Sequence, residues 1–145
     1  MADIERTASA VWNGDLRSGQ GTINSTSGVL SDTPYSFVTR FEQAPGTNPE
    51  ELIASAHAAC YSMAFSGLLG RKGYQPQQIE TRAICFLTPQ TGGFKITKMR
   101  LETRGKVDGL DDATFKEIAN EAEQGCPVSN ALRGSLQIEV DASLM

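Results

Sequence analysis

The chain has 145 residues, a formal net charge of −4 and 39% hydrophobic residues, which fits a single domain over residues 1–145 that buries a core without staples. The acidic balance argues against a nucleic-acid surface, which needs a basic patch. Three cysteines and one histidine, dispersed and without a C-x-x-C pair, suit neither a disulfide framework nor a zinc site.

The N-terminus Met1-Ala2-Asp3-Ile4-Glu5-Arg6 has no apolar signal region, so a reducing cytoplasm is the expected setting. The first forty residues are strand-like. Ala8 to Trp12 runs into Asn13-Gly14, a hairpin signal because both residues tolerate positive φ. Gly19 and Gly21 mark a further turn or bulge. Tyr35 to Phe41 alternates, with Tyr35, Phe37, Thr39 and Phe41 on one face, and is expected to be a strand ending near Arg40.

The pattern then changes to that of a helix. Asn48 is the expected N-cap, Pro49 takes the first helical position, and Glu51 falls where a capping-box carboxylate belongs. The helix should run to about Gly70. Leu52 to Gly70 carries no formal charge and is long enough to span a bilayer. Its serines, His57 and many alanines point instead to a buried helix of a soluble protein.

Gln78 to Leu87 and Phe94 to Val107 are strand candidates around the turn Thr91-Gly92-Gly93. Asp111 or Asp112 caps a second helix with Phe115, Ile118, Ala119 and Ala122 on one face. It ends at Gly125, a short helix follows Pro127, and Leu136 to Val140 is a last strand. This order of elements describes an α+β domain.

Two cysteines stand out. Helical spacing places Cys60 in an apolar, small-residue stripe with Ile53, Ala56, Met63, Ala64 and Gly67. A buried structural thiol fits that stripe; so does a nucleophile at the foot of an apolar pocket. Apolar burial raises a thiol pKa, so a reactive Cys60 needs a cation nearby. His57 lies round the helix from it and suits packing or a backbone contact. Arg40 is the better candidate cation, although a surface arginine also fits its context. Cys126 precedes Pro127 and is the expected N-cap of the short helix, where the free amides favour a thiolate. Helix electrostatics alone therefore make Cys126 the more acidic thiol. Cys85, in Ile84-Cys85-Phe86-Leu87, is assigned to the core. Glu50 suits the positive end of the long helix and lies about 15 Å along it from Cys60, out of reach.

These segments resemble the OsmC family of thiol peroxidases. The resemblance is carried by Thr39-Arg40-Phe41-Glu42, Gly46-Thr47-Asn48-Pro49-Glu50-Glu51-Leu52-Ile53, Ala56-His57-Ala58-Ala59-Cys60 and Gly125-Cys126-Pro127-Val128-Ser129. It implies an α+β fold of antiparallel sheets around a long buried central helix, in an intertwined homodimer with two interface sites. It implies Cys60 as the peroxidatic thiolate, Cys126 as the resolving thiol, Arg40 as the activator of Cys60 and Glu50 as the partner of Arg40. It also implies a hydroperoxide substrate and an external dithiol reductant of lipoyl type; the apolar stripe favours organic hydroperoxides over hydrogen peroxide, the alternative substrate. No metal or organic cofactor is required. Two rival readings remain: a thiol–disulfide carrier, and a redox-inert binding protein that uses the apolar stripe as a pocket.

Overall fold

A computed structural model describes residues 1–145. The elements are β1 (Ala8–Asn13), β2 (Gln20–Ser25), β3 (Thr33–Tyr35), α1 (Phe37–Phe41), α2 (Pro49–Arg71), β4 (Pro76–Gln90), β5 (Gly93–Val107), α3 (Asp112–Gln124), α4 (Pro127–Leu132) and β6 (Gln137–Leu144). They fall into two compact units, Met1–Pro49 and Glu50–Met145.

The first unit is a three-stranded antiparallel sheet in the order β1-β2-β3, followed by α1. Asn13 pairs with Gln20, so Asn13-Gly14 opens a longer loop than the tight hairpin expected. Asp15 organises that loop. Its carboxylate accepts the Arg17 and Ser18 amides at 2.9 Å each. Gly21 is a strand residue and not a turn. A Cβ there would collide with Tyr35 and approach Trp12 to 2.8 Å, and those two rings pack at 5.4 Å.

The alternation from Tyr35 to Phe41 does not make a strand. Ser36 caps a helix instead, because Ser36 and Thr39 form a reciprocal capping box. The Thr39 amide donates to Ser36 Oγ at 3.3 Å, and the Ser36 amide donates to Thr39 Oγ1 at 2.9 Å. Phe37 and Phe41 then become i,i+4 neighbours, with ring centroids 4.9 Å apart. Phe37 and Phe41, four residues apart, share one face of this helical turn, while Thr39 between them turns back to Ser36.

In the second unit, α2 starts at Pro49 as expected and ends in a left-handed cap at Gly73. The Tyr74 amide donates to the Leu69 carbonyl there at 3.0 Å. By length and composition α2 is able to cross a membrane. Its burial is one-sided: His57, Tyr61, Phe65 and Leu69 form a single buried line at a spacing of four residues. Phe65 packs on Phe115 of α3 at 4.9 Å, and Tyr61 Oη donates to the Ala119 carbonyl at 2.8 Å. The long central helix expected is thus present and buried along this face, while the opposite face, with Ala56, Ala59, Met63 and Gly67, is exposed.

The second sheet has the order β4-β5-β6. β4 and β5 are antiparallel through a two-residue Thr91-Gly92 link between Gln90 and Gly93. β6 runs parallel to β5, a departure from the purely antiparallel sheets expected. The reason is the α3–α4 crossover, which returns the chain to the end of the sheet from which β5 set out. Along β5, Met99, Leu101, Thr103, Gly105 and Val107 alternate inward. Gly105 is needed by close approach, since a Cβ there would lie 2.5 Å from the Phe115 ring. Phe115, Ile118, Ala119 and Ala122 all bury on α3, as helical periodicity predicts.

Candidate active site

The second unit brings Cys60 and Cys126 together. Cys126 is the N-cap of α4, between the C-cap Gly125 of α3 and Pro127 at the first helical position. It is fully buried, and the Ser129 amide donates to its Sγ at 3.5 Å. Cys60 projects from the middle of α2, half-buried, and both thiols are free. The Cys60 thiol meets two groups of the α4 turn, the Val128 amide and the Cys126 thiol.

Three influences act on Cys60. Burial pushes its thiol up most strongly, the Val128 amide pulls it down, and the Cys126 thiol pushes it up again. The net direction is upward, away from the thiolate. That is the penalty expected for a thiol in an apolar site. From Cys60, an open groove of about 480 Å³ runs past Met63, Ala64, Gly67 and Leu68 toward Arg71 and Glu121. Three of those residues belong to the small, apolar stripe read from the helical spacing.

His57 is fully buried and shares a 2.7 Å hydrogen bond with Ser129 Oγ of α4. Burial pushes its pKa down, and the nearby Glu123 carboxylate opposes this weakly. The contact is with a side chain and not with the backbone. Ser129 was missed in the sequence; its only signal there is its place three residues after a capping Cys126. Glu123 was missed as well. It is almost fully buried on α3 and meets Arg133 at 2.9 Å.

Arg40 sits on α1, and not on a strand, with its guanidinium 5.0 Å above the Phe41 ring. It helps to line a hollow with Trp12, Leu16, Tyr35 and Phe37 in the first unit. Glu50 is in the first turn of α2 and is buried in the second unit. Cys85 is not a core residue: it is half-buried in a shallow groove with Glu50 and Arg82. Burial pushes that thiol up, and the Glu50 charge pushes it further. No group of three or more His, Cys, Asp or Glu side chains is arranged to hold a metal ion.

The model of the family described as OsmC-like protein matches residues 42–141. The chain is 46% identical over 136 residues to the Peroxiredoxin OsmC of Escherichia coli, covering 94% of this chain and 95% of that protein. It superposes on the crystal structure of the organic hydroperoxide resistance protein OhrB of Bacillus subtilis with a TM-score of 0.70 at 30% identity, covering 96% of this chain and 98% of that one. An organic hydroperoxide resistance protein from Elizabethkingia anophelis shares the fold over the full length of both chains, with a TM-score of 0.77 at 23% identity.

Proposed function

The chain belongs to the OsmC family, and from that premise we propose that it is a thiol-dependent peroxidase of organic hydroperoxides whose reaction centre is the Cys60–Cys126 pair. The observation that carries this reading is the meeting of the two thiols: one half-buried at the foot of an apolar groove, the other capping a helix behind it. The names of the relatives supply the substrate class.

In the first step the Cys60 thiolate attacks the hydroperoxide. An S–O bond forms, the O–O bond breaks, and the alkoxide leaves as an alcohol after taking a proton. The Val128 amide helps to hold the charge on Cys60 before attack. Burial works against that charge, so a cation is required, and Arg40 is the one we assign, with Glu50 to hold it. In the second step Cys126 condenses with the Cys60 sulfenic acid to give a disulfide and water. An external dithiol then restores both thiols by exchange. We assign a lipoyl-type dithiol to this step, on the family resemblance. No metal or organic cofactor enters these steps.

The working form is a homodimer in the cytoplasm, with the chain acting as one peroxidase domain. The exposed apolar face of α2 supports the dimer, since contiguous apolar surface of this kind marks an interface.

The test is a single turnover. Reduced protein receives one equivalent of tert-butyl hydroperoxide, free thiols are blocked, and the cysteines are mapped by non-reducing peptide mass spectrometry. A rapid Cys60–Cys126 link with Cys85 still free is expected. Thiol exchange without consumption of peroxide would point to a carrier instead. Slow, indiscriminate oxidation would sink the peroxidase reading and leave the carrier or the redox-inert binding protein ahead.

A further inference from the structure

One hydrogen bond ties together the two helices on which the thiols depend. His57 lies three residues before Cys60 on α2, and Ser129 lies three residues after Cys126 in α4. Their side chains meet at 2.7 Å, and both residues are fully buried. The Ser129 amide also donates to Cys126 Sγ. The residue whose hydroxyl holds α4 to α2 therefore touches the second thiol through its own backbone. Neither His57 nor Ser129 lines the groove at Cys60, so neither is placed to bind substrate.

α4 has six residues, too few to be stable as an isolated helix. Its position depends on its anchors. At its C-terminal end Arg133 meets Glu123 of α3 at 2.9 Å. At its N-terminal turn, where Cys126 sits, the side-chain anchor to α2 is the His57–Ser129 bond.

We propose that His57 and Ser129 are positioning residues for the second step: their bond clamps the first turn of α4 onto α2 and keeps Cys126 at Cys60. This rests on the two-thiol reading above. In that step the Cys126 sulfur, as a thiolate, attacks the Cys60 sulfenic sulfur. The S–S bond forms, the S–O bond breaks, and the departing hydroxide takes a proton to become water. Both thiols belong to one chain, and the clamp raises the effective concentration of Cys126 at Cys60. With the clamp released, the sulfenic acid lives longer and a second hydroperoxide oxidises it to sulfinic acid.

Ser129→Ala, Ser129→Thr and the unaltered protein are compared in two assays. In the first, rapid-quench trapping follows peroxide attack and disulfide formation separately. Ser129→Ala is expected to slow disulfide formation about tenfold while attack changes less than about threefold, as loss of one buried hydrogen bond predicts. Sulfinic Cys60 then accumulates at peroxide levels where the unaltered protein forms disulfide, and Ser129→Thr, which keeps the hydroxyl, restores the rate. The second assay equilibrates each protein in glutathione buffers without peroxide. A tenfold loss of effective concentration makes the Cys60–Cys126 disulfide easier to reduce by about 30 mV. Equal condensation rates and equal potentials in Ser129→Ala and the unaltered protein would overturn the proposal. A parallel loss of both steps with an unchanged potential would overturn it too. If the unaltered protein does not react with hydroperoxide while the potential still shifts, the peroxidase reading fails and the clamp stands. Thermal unfolding checks that the variants fold; should Ser129→Ala not fold, His57→Gln is read by the same criteria.

Discussion

At the scale of single residues, the centre is a conflict between burial and charge. Cys60 is placed where its sulfur loses water, and that loss works against the thiolate. One backbone amide opposes the loss, and the neighbouring Cys126 side chain adds to it. The sign sets the expected pH dependence. Thiolate is the reactive form, and it grows as pH rises through the thiol pKa. If Arg40 supplies a compensating charge, its removal leaves the Val128 amide alone against burial. Arg40→Met should then move the pH midpoint of Cys60 alkylation upward by roughly 1–3 pH units. The midpoint is read from the rate of iodoacetamide labelling of Cys60 in a Cys85→Ser, Cys126→Ser background. An unmoved midpoint would take Arg40 out of the activation step. Cys126 is fully buried as well and caps α4, where the Ser129 amide donates to its sulfur.

Among the elements, α2 and α4 do the positioning while β5 and α3 supply the rigid support. The support is specific at Gly105, where the Phe115 ring lies against the bare backbone of β5. Ile79 across the sheet closes the same space, 3.1 Å from where a Cβ would stand. A methyl group at Gly105 cannot be accommodated without moving α3. Gly105→Ala should cost about 1–3 kcal/mol, the range for overpacking a filled core. Urea unfolding followed by fluorescence measures it, and a change of less than about 0.5 kcal/mol, the usual size of a surface substitution, would show that α3 yields freely. Because α3 leads directly into Cys126, the same displacement should also slow disulfide formation.

For the whole molecule, the question is what covers α2. One face of the helix packs on α3 and the second sheet, and the other presents Met63, 78% exposed, in a row with alanines and Gly67. Small residues permit close approach of another backbone, and Met adapts to fill gaps. With a second copy of the chain on this face, Met63→Glu places a charge in an apolar contact. It should weaken self-association at least about tenfold, equivalent to about 1.4 kcal/mol. Sedimentation equilibrium of the two proteins reads this directly. An unchanged monomer–dimer constant would remove this face of α2 from the contact.

Much of this molecule was legible from local pattern alone. The start of α2 at Pro49, the Asp111 cap, the buried face of α3 and the cap at Cys126 each depend on a few neighbouring residues. Backbone geometry allows few solutions for such motifs. The two thiol contexts likewise stood out because each depends on its own short segment. The misreadings came where a local pattern had two solutions. Alternation from Tyr35 to Phe41 suits a strand, but Phe37 and Phe41 also satisfy one turn of helix, and the Ser36–Thr39 capping box chose the helix. What the tertiary structure alone decided was everything set by residues distant in sequence. The crossover made β6 parallel, and Glu50 came to lie beside Cys85. The Ser129 hydroxyl reached His57 across 72 positions of chain. No periodicity encodes such a meeting, because it depends on where two separately folded segments are packed against a common core.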